Sequence, residues 1–253
     1  MGQLDRLFSL TSRAALITGG NSGLGLAFAE ALGRQGARTV LVARRRPALD
    51  AAERLLKQAQ IDVSVIEADL AEPSGPDRVA AALGHPVDIL VNAAGINLRQ
   101  QFEDVTADAF DRHMAIHLRA PFRLVQLLAP QMAERRFGRI INIASLQSQR
   151  AFPNSAPYGA AKGGIVQLTR AIAERWSPYG ITCNAIAPGF FPTELTAAVF
   201  KDPELVARHA KQTAIGRNGE LSDLFGPVVF LASEASSYVT GQTLNVDGGY
   251  TAK

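Results

Sequence analysis

The chain is expected to fold as a single α/β domain, a Rossmann-type, doubly wound sheet of seven parallel strands with helices on both faces. Three observations carry this expectation. Short apolar, β-branched runs alternate with longer segments of helical period along the whole chain, and such alternation favours parallel strands joined by right-handed crossovers. The first strand runs into a glycine-rich turn and then a helix. The polar and glycine-rich motifs singled out below all follow strands, where ligands of such sheets bind.

Residues 14–18 read as the first buried strand. Thr18-Gly19-Gly20-Asn21-Ser22-Gly23-Leu24-Gly25 follows, then a helix over about 26–35 with Gly36 in stop position. Strand, glycine turn and helix start make an anion site, because backbone N–H groups point outward and the helix dipole favours negative charge. The spacing is Thr-Gly-x-x-x-Gly-x-Gly rather than G-x-G-x-x-G. A plain strand-to-helix turn seldom needs so many glycines, so Gly19, Asn21, Ser22, Gly23, Leu24 and Gly25 are candidate contacts to a dinucleotide.

Residues 38–43 give the second strand. Dinucleotide folds carry a carboxylate near its end to bond the ribose hydroxyls. Here the strand ends Ala43-Arg44-Arg45-Arg46. A guanidinium suits a 2′-phosphate, so the expected cofactor is NADP(H), with Arg44 and Arg45 as candidates. The plainer alternative is that the arginines solvate the next helix, most of all Arg46.

Pro47 opens a helix to about residue 59. The third strand, 62–66, ends at Glu67-Ala68-Asp69-Leu70; Asp69 either meets the adenine amino group, beside Leu70, or caps the loop. A short helix spans 73–83. The fourth strand, 87–91, opens into Asn92-Ala93-Ala94-Gly95, small residues that let a nucleotide lie against the backbone. A long helix over 108–130 is expected to bend at Pro121. Strands follow at 139–143 and 181–186, and helical spacing over 163–176. A loop-and-helix stretch at about 190–215 is placed to be a lid. A helix over 222–232 and a seventh strand over 242–246 close a single domain spanning 1–253, without repeats or linkers.

The stretch between the fifth strand and its helix carries the chemistry. Ser145 stands where the strand ends. Tyr158 and Lys162 are four apart, so on a helix they share one face. A phenol of ordinary pKa, roughly 10, is too weak an acid for neutral-pH proton transfer. A lysine ammonium one turn away favours the phenolate, and Ser145 can donate to a carbonyl oxygen held between it and Tyr158. Taken alone, a Tyr-x-x-x-Lys pair is common on ordinary amphipathic helices; its company gives it weight.

Composition bounds the remainder. The 253 residues are 47% hydrophobic and 19% charged, with net charge +3, ordinary for a globular protein. Without a basic stripe interleaved with aromatics, nucleic acid is not an expected partner. No apolar run approaches a membrane span and the N-terminus lacks a signal-peptide core, so no membrane association is expected. The single cysteine, Cys183, lies in an apolar run and reads as core. With no partner for a disulfide, the expected location is the cytoplasm. No metal site is expected.

These residues resemble the short-chain dehydrogenase/reductase family over 14–249. The resemblance rests on Thr18-Gly19-x-x-x-Gly23-x-Gly25, Asn92-Ala-Ala-Gly95, Ser145 with Tyr158 and Lys162, and Asn184-Ala-Ile-Ala-Pro188-Gly189. It implies that Tyr158 is the acid/base, that Ser145 orients the carbonyl, and that Lys162 bonds the nicotinamide ribose and lowers the tyrosine pKa. It further implies that Asn92, Ala93 and Gly95 support the adenosine half. Ile186, Pro188, Gly189, Phe191 and Thr193 would hold the nicotinamide end. Family members are usually tetramers or dimers, so a homotetramer is expected. One position departs: His117 precedes Leu118-Arg-Ala-Pro-Phe122, where the family usually carries a relay Asn. A histidine there either keeps a relay or only fills the space.

Residues 8–10, 95–99 and 223–232 look closest to sugar-acid members of the family, gluconate 5-dehydrogenase-like and 2-deoxy-3-ketogluconate dehydrogenase-like. The expected substrate is then a small secondary alcohol or ketone, with Asn97, Arg99, Gln147 and Phe190 as candidate contacts. Arg150 could add a polar contact, and Phe152 and Phe191 an apolar wall. The rival expectation is a 3-oxoacyl-thioester reductase; a nucleotide-binding regulator without turnover is disfavoured by the intact Ser145/Tyr158/Lys162 set.

Overall fold

In the computed structural model, which describes residues 2–253, the chain runs α1 (Gln3–Phe8), β1 (Ala14–Thr18), α2 (Gly23–Arg34), β2 (Arg38–Ala43), α3 (Arg46–Gln58), β3 (Val63–Glu67), α4 (Gly75–Ala82) and β4 (Ile89–Asn92). It continues through α5 (Ala107–Met114), α6 (Ala120–Glu134), β5 (Gly138–Ile143), α7 (Ala156–Trp176) and β6 (Ile181–Pro188). Then come α8 (Ala197–Phe200), α9 (Pro203–Gln212), α10 (Phe225–Ala232) and β7 (Thr243–Val246). All seven strands pair in parallel, in the order β3-β2-β1-β4-β5-β6-β7.

Side-chain alternation divides the core into two layers. Ala15 and Ile17 of β1 face Phe28 and Leu32 of α2, Leu49 and Leu56 of α3, and Val228 of α10. Leu16, between them, faces the opposite layer with Val79 of α4, Leu124 and Met132 of α6, and Ile172 of α7. β1, β4, β5 and β6 are buried throughout, which explains their continuous apolar runs. Strand order reverses between β1 and β4, so the loops after these strands part and open a crevice.

Several elements differ from expectation. α1 has too few residues for a periodicity argument. α2 begins at Gly23, three residues before the expected start, and α7 begins at Ala156 with Pro157 in its first turn. The long helix is broken by a π-helical turn, Ala115–Arg119, where the Ala120 N–H reaches back five residues to the Ala115 carbonyl. Pro121, which lacks an N–H, follows immediately, so the irregularity falls where the ladder already misses a donor. The helix then passes through Pro130 to Glu134 rather than stopping there. A 3-10 turn, Leu221–Leu224, takes the start of the expected 222–232 helix.

Candidate active site

The crevice is built first by backbone. Thr18 Oγ1, at the end of β1, accepts from the N–H groups of Ala93 and Ala94 at 3.0 Å each, tying the β1 and β4 loops together. A Cβ on Gly25 would lie 2.2 Å from the Gly19 carbonyl oxygen, so the turn is pressed onto the first turn of α2 and only glycine fits. Ser22, at the N-cap, makes no side-chain cap bond, which leaves first-turn N–H groups of α2 for an anion. These features fit a dinucleotide pyrophosphate. Asn92 is internal: its Nδ2 donates to Asn142 Oδ1 at 2.8 Å, and Asn142 donates to Thr169 Oγ1 at 2.9 Å.

On the far side of the crevice, β5 ends at Ser145. Its backbone N–H donates to Ser148 Oγ at 3.2 Å, and Ser148 Oγ donates to the Lys162 carbonyl at 2.6 Å. This chain fixes the start of α7 against the end of β5, so Tyr158 and Lys162 face the same cleft as Ser145. Ser148 was not singled out from sequence, although its spacing from Ser145 is that of a cap.

Burial dominates the electrostatics of the Tyr158 and Lys162 pair. Burial pushes the Tyr158 hydroxyl above its ordinary pKa, with Ser145 and Arg99 pulling the other way. Burial also lowers Lys162 to about 7. Its Nζ donates to the Ile143 carbonyl at 2.5 Å and lies 5.6 Å from the Tyr158 ring centroid. Desolvation thus opposes the pull of Ser145 and Arg99 on the phenol.

His117 sits on the π-helical turn and lines the cleft. Its ring meets the Tyr158 ring edge-on, centroids 5.3 Å apart. Nε2 lies 2.8 Å from the Ile96 carbonyl and 3.3 Å from the Ile96 N–H; the shorter contact needs a donor, so it is the one that assigns the proton to this nitrogen. Nδ1 is buried without a hydrogen-bond partner, and burial holds the imidazole well below its usual pKa. A Cβ on Gly95 would lie 2.9 Å from His117 Cε1, so Gly95 makes room for this ring. Sequence reading missed His113, one turn earlier. It is fully buried, its Nδ1 donates to the Ala109 carbonyl at 2.6 Å, and its Nε2 accepts from the Leu98 N–H at 3.2 Å. The two histidines thus grip the segment leading to Arg99; their i, i+4 spacing was the available signal.

The cleft brings together Ser145, Tyr158, Lys162 and His117 with Leu24, Ala93 and Gly95. Pro188, Gly189, Phe191 and Thr193 line it, as do Asn97, Arg99, Gln147 and Phe190. Leu195 and Thr196 of the expected lid also line it and were not foreseen. Asn97 Oδ1 is buried and unpartnered, and Phe190 stacks on His209 of α9 with centroids 3.7 Å apart. Gly19, Asn21, Ser22, Gly23 and Gly25 form the neighbouring turn.

Asp69 Oδ1 accepts from Ala71 N–H at 2.8 Å, the loop cap that is one of its two expected roles, and the Leu70 side chain packs in the core. Arg150 faces the C-terminus, donating to the carbonyls of Tyr250 and Lys253 at 3.3 and 3.2 Å, rather than into the cleft. Of the arginine run, Arg45 pairs with Glu194 and Arg46 with Asp50; Arg44 is exposed and makes no ion pair among the described residues.

A family model described as enoyl-(acyl carrier protein) reductase matches residues 19–251. The chain is 39% identical over 248 residues to a gluconate 5-dehydrogenase of Gluconobacter oxydans (strain 621H), covering 97% of each chain. It is 34% identical to a 5-keto-D-gluconate 5-reductase of Escherichia coli (strain K12), covering 97% of this chain and 98% of that one. Among solved structures, a gluconate 5-dehydrogenase from Burkholderia cenocepacia J2315 in complex with NADP and tartrate superposes with a TM-score of 0.92 at 38% identity. It covers 99% of this chain and 100% of that one.

Proposed function

The chain belongs to the short-chain dehydrogenase/reductase family, and we propose that it is an NADP(H)-dependent oxidoreductase acting on a secondary alcohol or ketone of a sugar acid, such as gluconate and 5-ketogluconate. The single observation that carries this reading is the convergence of Ser145, Tyr158 and Lys162 on a cleft that also holds an exposed cation, Arg99, and an unpartnered acceptor, Asn97 Oδ1. A cation suits a carboxylate, and a buried acceptor suits a hydroxyl of a polyol.

When bound, NADP(H) would supply or accept the hydride. Ser145 and Tyr158 hold the substrate oxygen between them. Tyr158 gives its proton to that oxygen during ketone reduction and takes it back in the reverse direction. Lys162, one turn along the same helix, lines the cleft beside Tyr158, where it would bond the nicotinamide ribose of a bound cofactor. Gly19, Asn21, Ser22, Gly23, Leu24 and Gly25 would hold the pyrophosphate, Arg44 and Arg45 would hold the 2′-phosphate, and the segment at about 190–215 would cover the substrate. The gluconate relatives support the substrate class. A 3-oxoacyl-(acyl-carrier-protein) reductase from Agrobacterium tumefaciens C58 with NADP bound shares the fold at 28% identity, below the identity of the sugar-acid relatives.

We also propose a cytoplasmic homotetramer. No helix among the described residues is long and apolar enough to cross a membrane. Phe110 and Phe122 on α5 and α6 are 44% and 47% exposed, and Leu244 is 39% exposed on the edge strand β7, giving two separate faces for self-association. The deciding assay is NADPH oxidation with 5-ketogluconate against acetoacetyl thioester. Faster turnover of the thioester would refute the sugar-acid reading. Tyr158→Phe should abolish turnover while keeping NADPH binding, and an unaffected rate would remove Tyr158 from the mechanism.

A further inference from the structure

The segment after β6 lines the cleft through Phe191, Thr193 and Thr196, and its next polar side chain reaches the adenosine side of the crevice. Arg45 Nη2 donates to both carboxylate oxygens of Glu194, at 3.1 and 2.8 Å, across 149 residues of sequence. Beside this contact, Thr193 lies against Gly23; a Cβ there would meet it at 3.2 Å. Glu194 is not presented by a loose loop. The Thr193 N–H donates to Thr196 Oγ1 at 3.0 Å, and Thr196 Oγ1 donates to the Phe191 carbonyl at 2.5 Å. A hydrogen-bonded turn therefore carries one carboxylate onto one of the two arginines assigned above to the 2′-phosphate.

We propose that Glu194 is a cofactor-discriminating residue that competes with the 2′-phosphate for Arg45. A dinucleotide with a free 2′-hydroxyl leaves the pair intact. A 2′-phosphorylated one meets Arg44 first, then either draws Arg45 from Glu194 or shares it against the repulsion of a neighbouring carboxylate. In both cases the phosphate is bound less tightly than two free guanidinium groups would bind it, and the first turn of the lid is loosened. The pair is weak enough to be exchanged, since its side chains are 51% and 65% exposed and water screens it. This inference rests on the reading of Arg44 and Arg45 as the 2′-phosphate site.

The test is calorimetric titration of the native enzyme and Glu194→Gln with NADPH and with NADH, without substrate. In the variant the Kd for NADPH should fall by roughly three- to fivefold, the scale of an exposed ion pair, while the Kd for NADH stays within about twofold. Equal tightening of both cofactors, no change in either, or weaker NADPH binding would each overturn the proposal; the last would mean that Glu194 orients Arg45 for the phosphate. Arg44→Gln and Arg45→Gln, titrated alongside, separate the two levels. If neither weakens NADPH more than NADH, the arginine reading itself fails. If they do and Glu194→Gln is silent, only the competition fails.

Discussion

Replacing Lys162 by Met should abolish turnover yet stabilise the folded chain at neutral pH. The lysine is buried, and its folded pKa of about 7 lies below the ordinary 10.5. Between these values the native state binds fewer protons than the unfolded chain, so the native enzyme gains stability as pH rises through this window. At 1.36 kcal/mol per unit, the cost of the buried amine is about 5 kcal/mol at pH 6, about 3 kcal/mol at pH 8, and under about 1 kcal/mol at pH 10. Methionine has similar length and no charge, but it leaves the Ile143 carbonyl without the Nζ donor, a loss of about 1–2 kcal/mol. The net effect at pH 8 is a gain of about 1–2 kcal/mol, or roughly 2–8 °C in Tm for a chain of this size. The gain should be larger at pH 6 and should reverse near pH 10. Thermal melts of both proteins at the three pH values measure it. A Met variant that is less stable throughout, or a difference that does not vary with pH, would refute the reading of Lys162 as a destabilised buried amine.

Gly95→Ala drives a methyl to within 2.9 Å of His117 Cε1; it should cost about 1–3 kcal/mol by displacing the ring from the Ile96 carbonyl, and pairing it with His117→Asn should recover much of that in a double-mutant melt. His117→Asn alone should keep substantial turnover, and complete loss in a folded variant would show that the imidazole itself is required. Ala43→Asp combined with Arg44→Gln should move the kcat/KM ratio toward NADH; a native enzyme that already prefers NADH strongly would overturn the arginine reading.

The architecture was legible because its signals are local. Alternating Ala15 and Ile17 against Leu16 in β1, the glycine turn before α2 and the regular return of strands each follow from backbone geometry. The cleft was legible for the same reason: a doubly wound sheet brings the ends of its strands together, so Ser145, Gly95 and Pro188 meet although far apart in sequence. The helix over 108–130 was harder, because a proline foretells a bend but not that an extra residue is wound in one position before it. That residue shift sets where His117 points and could only be seen once the ladder was traced.

Long-range polar partners were out of reach of spacing. Nothing in the run Arg44-Arg45-Arg46 says that the second guanidinium meets Glu194 while the first remains unpaired among the described residues, nor that Arg150 turns to the C-terminus. The burial of the Tyr158 and Lys162 pair was out of reach for a related reason. From sequence, Tyr158 and Lys162 are a phenol and a cation one turn apart, and Coulomb attraction is the only force in view. Burial acts more strongly and in the opposite sense: it raises the phenol and lowers the amine, so each group moves toward its neutral form. A pair arranged this way holds one proton on oxygen and a nearly balanced one on nitrogen. Raising the phenol makes Tyr158 a weaker acid, and the Ser145 hydrogen bond and the Arg99 charge both act against that rise.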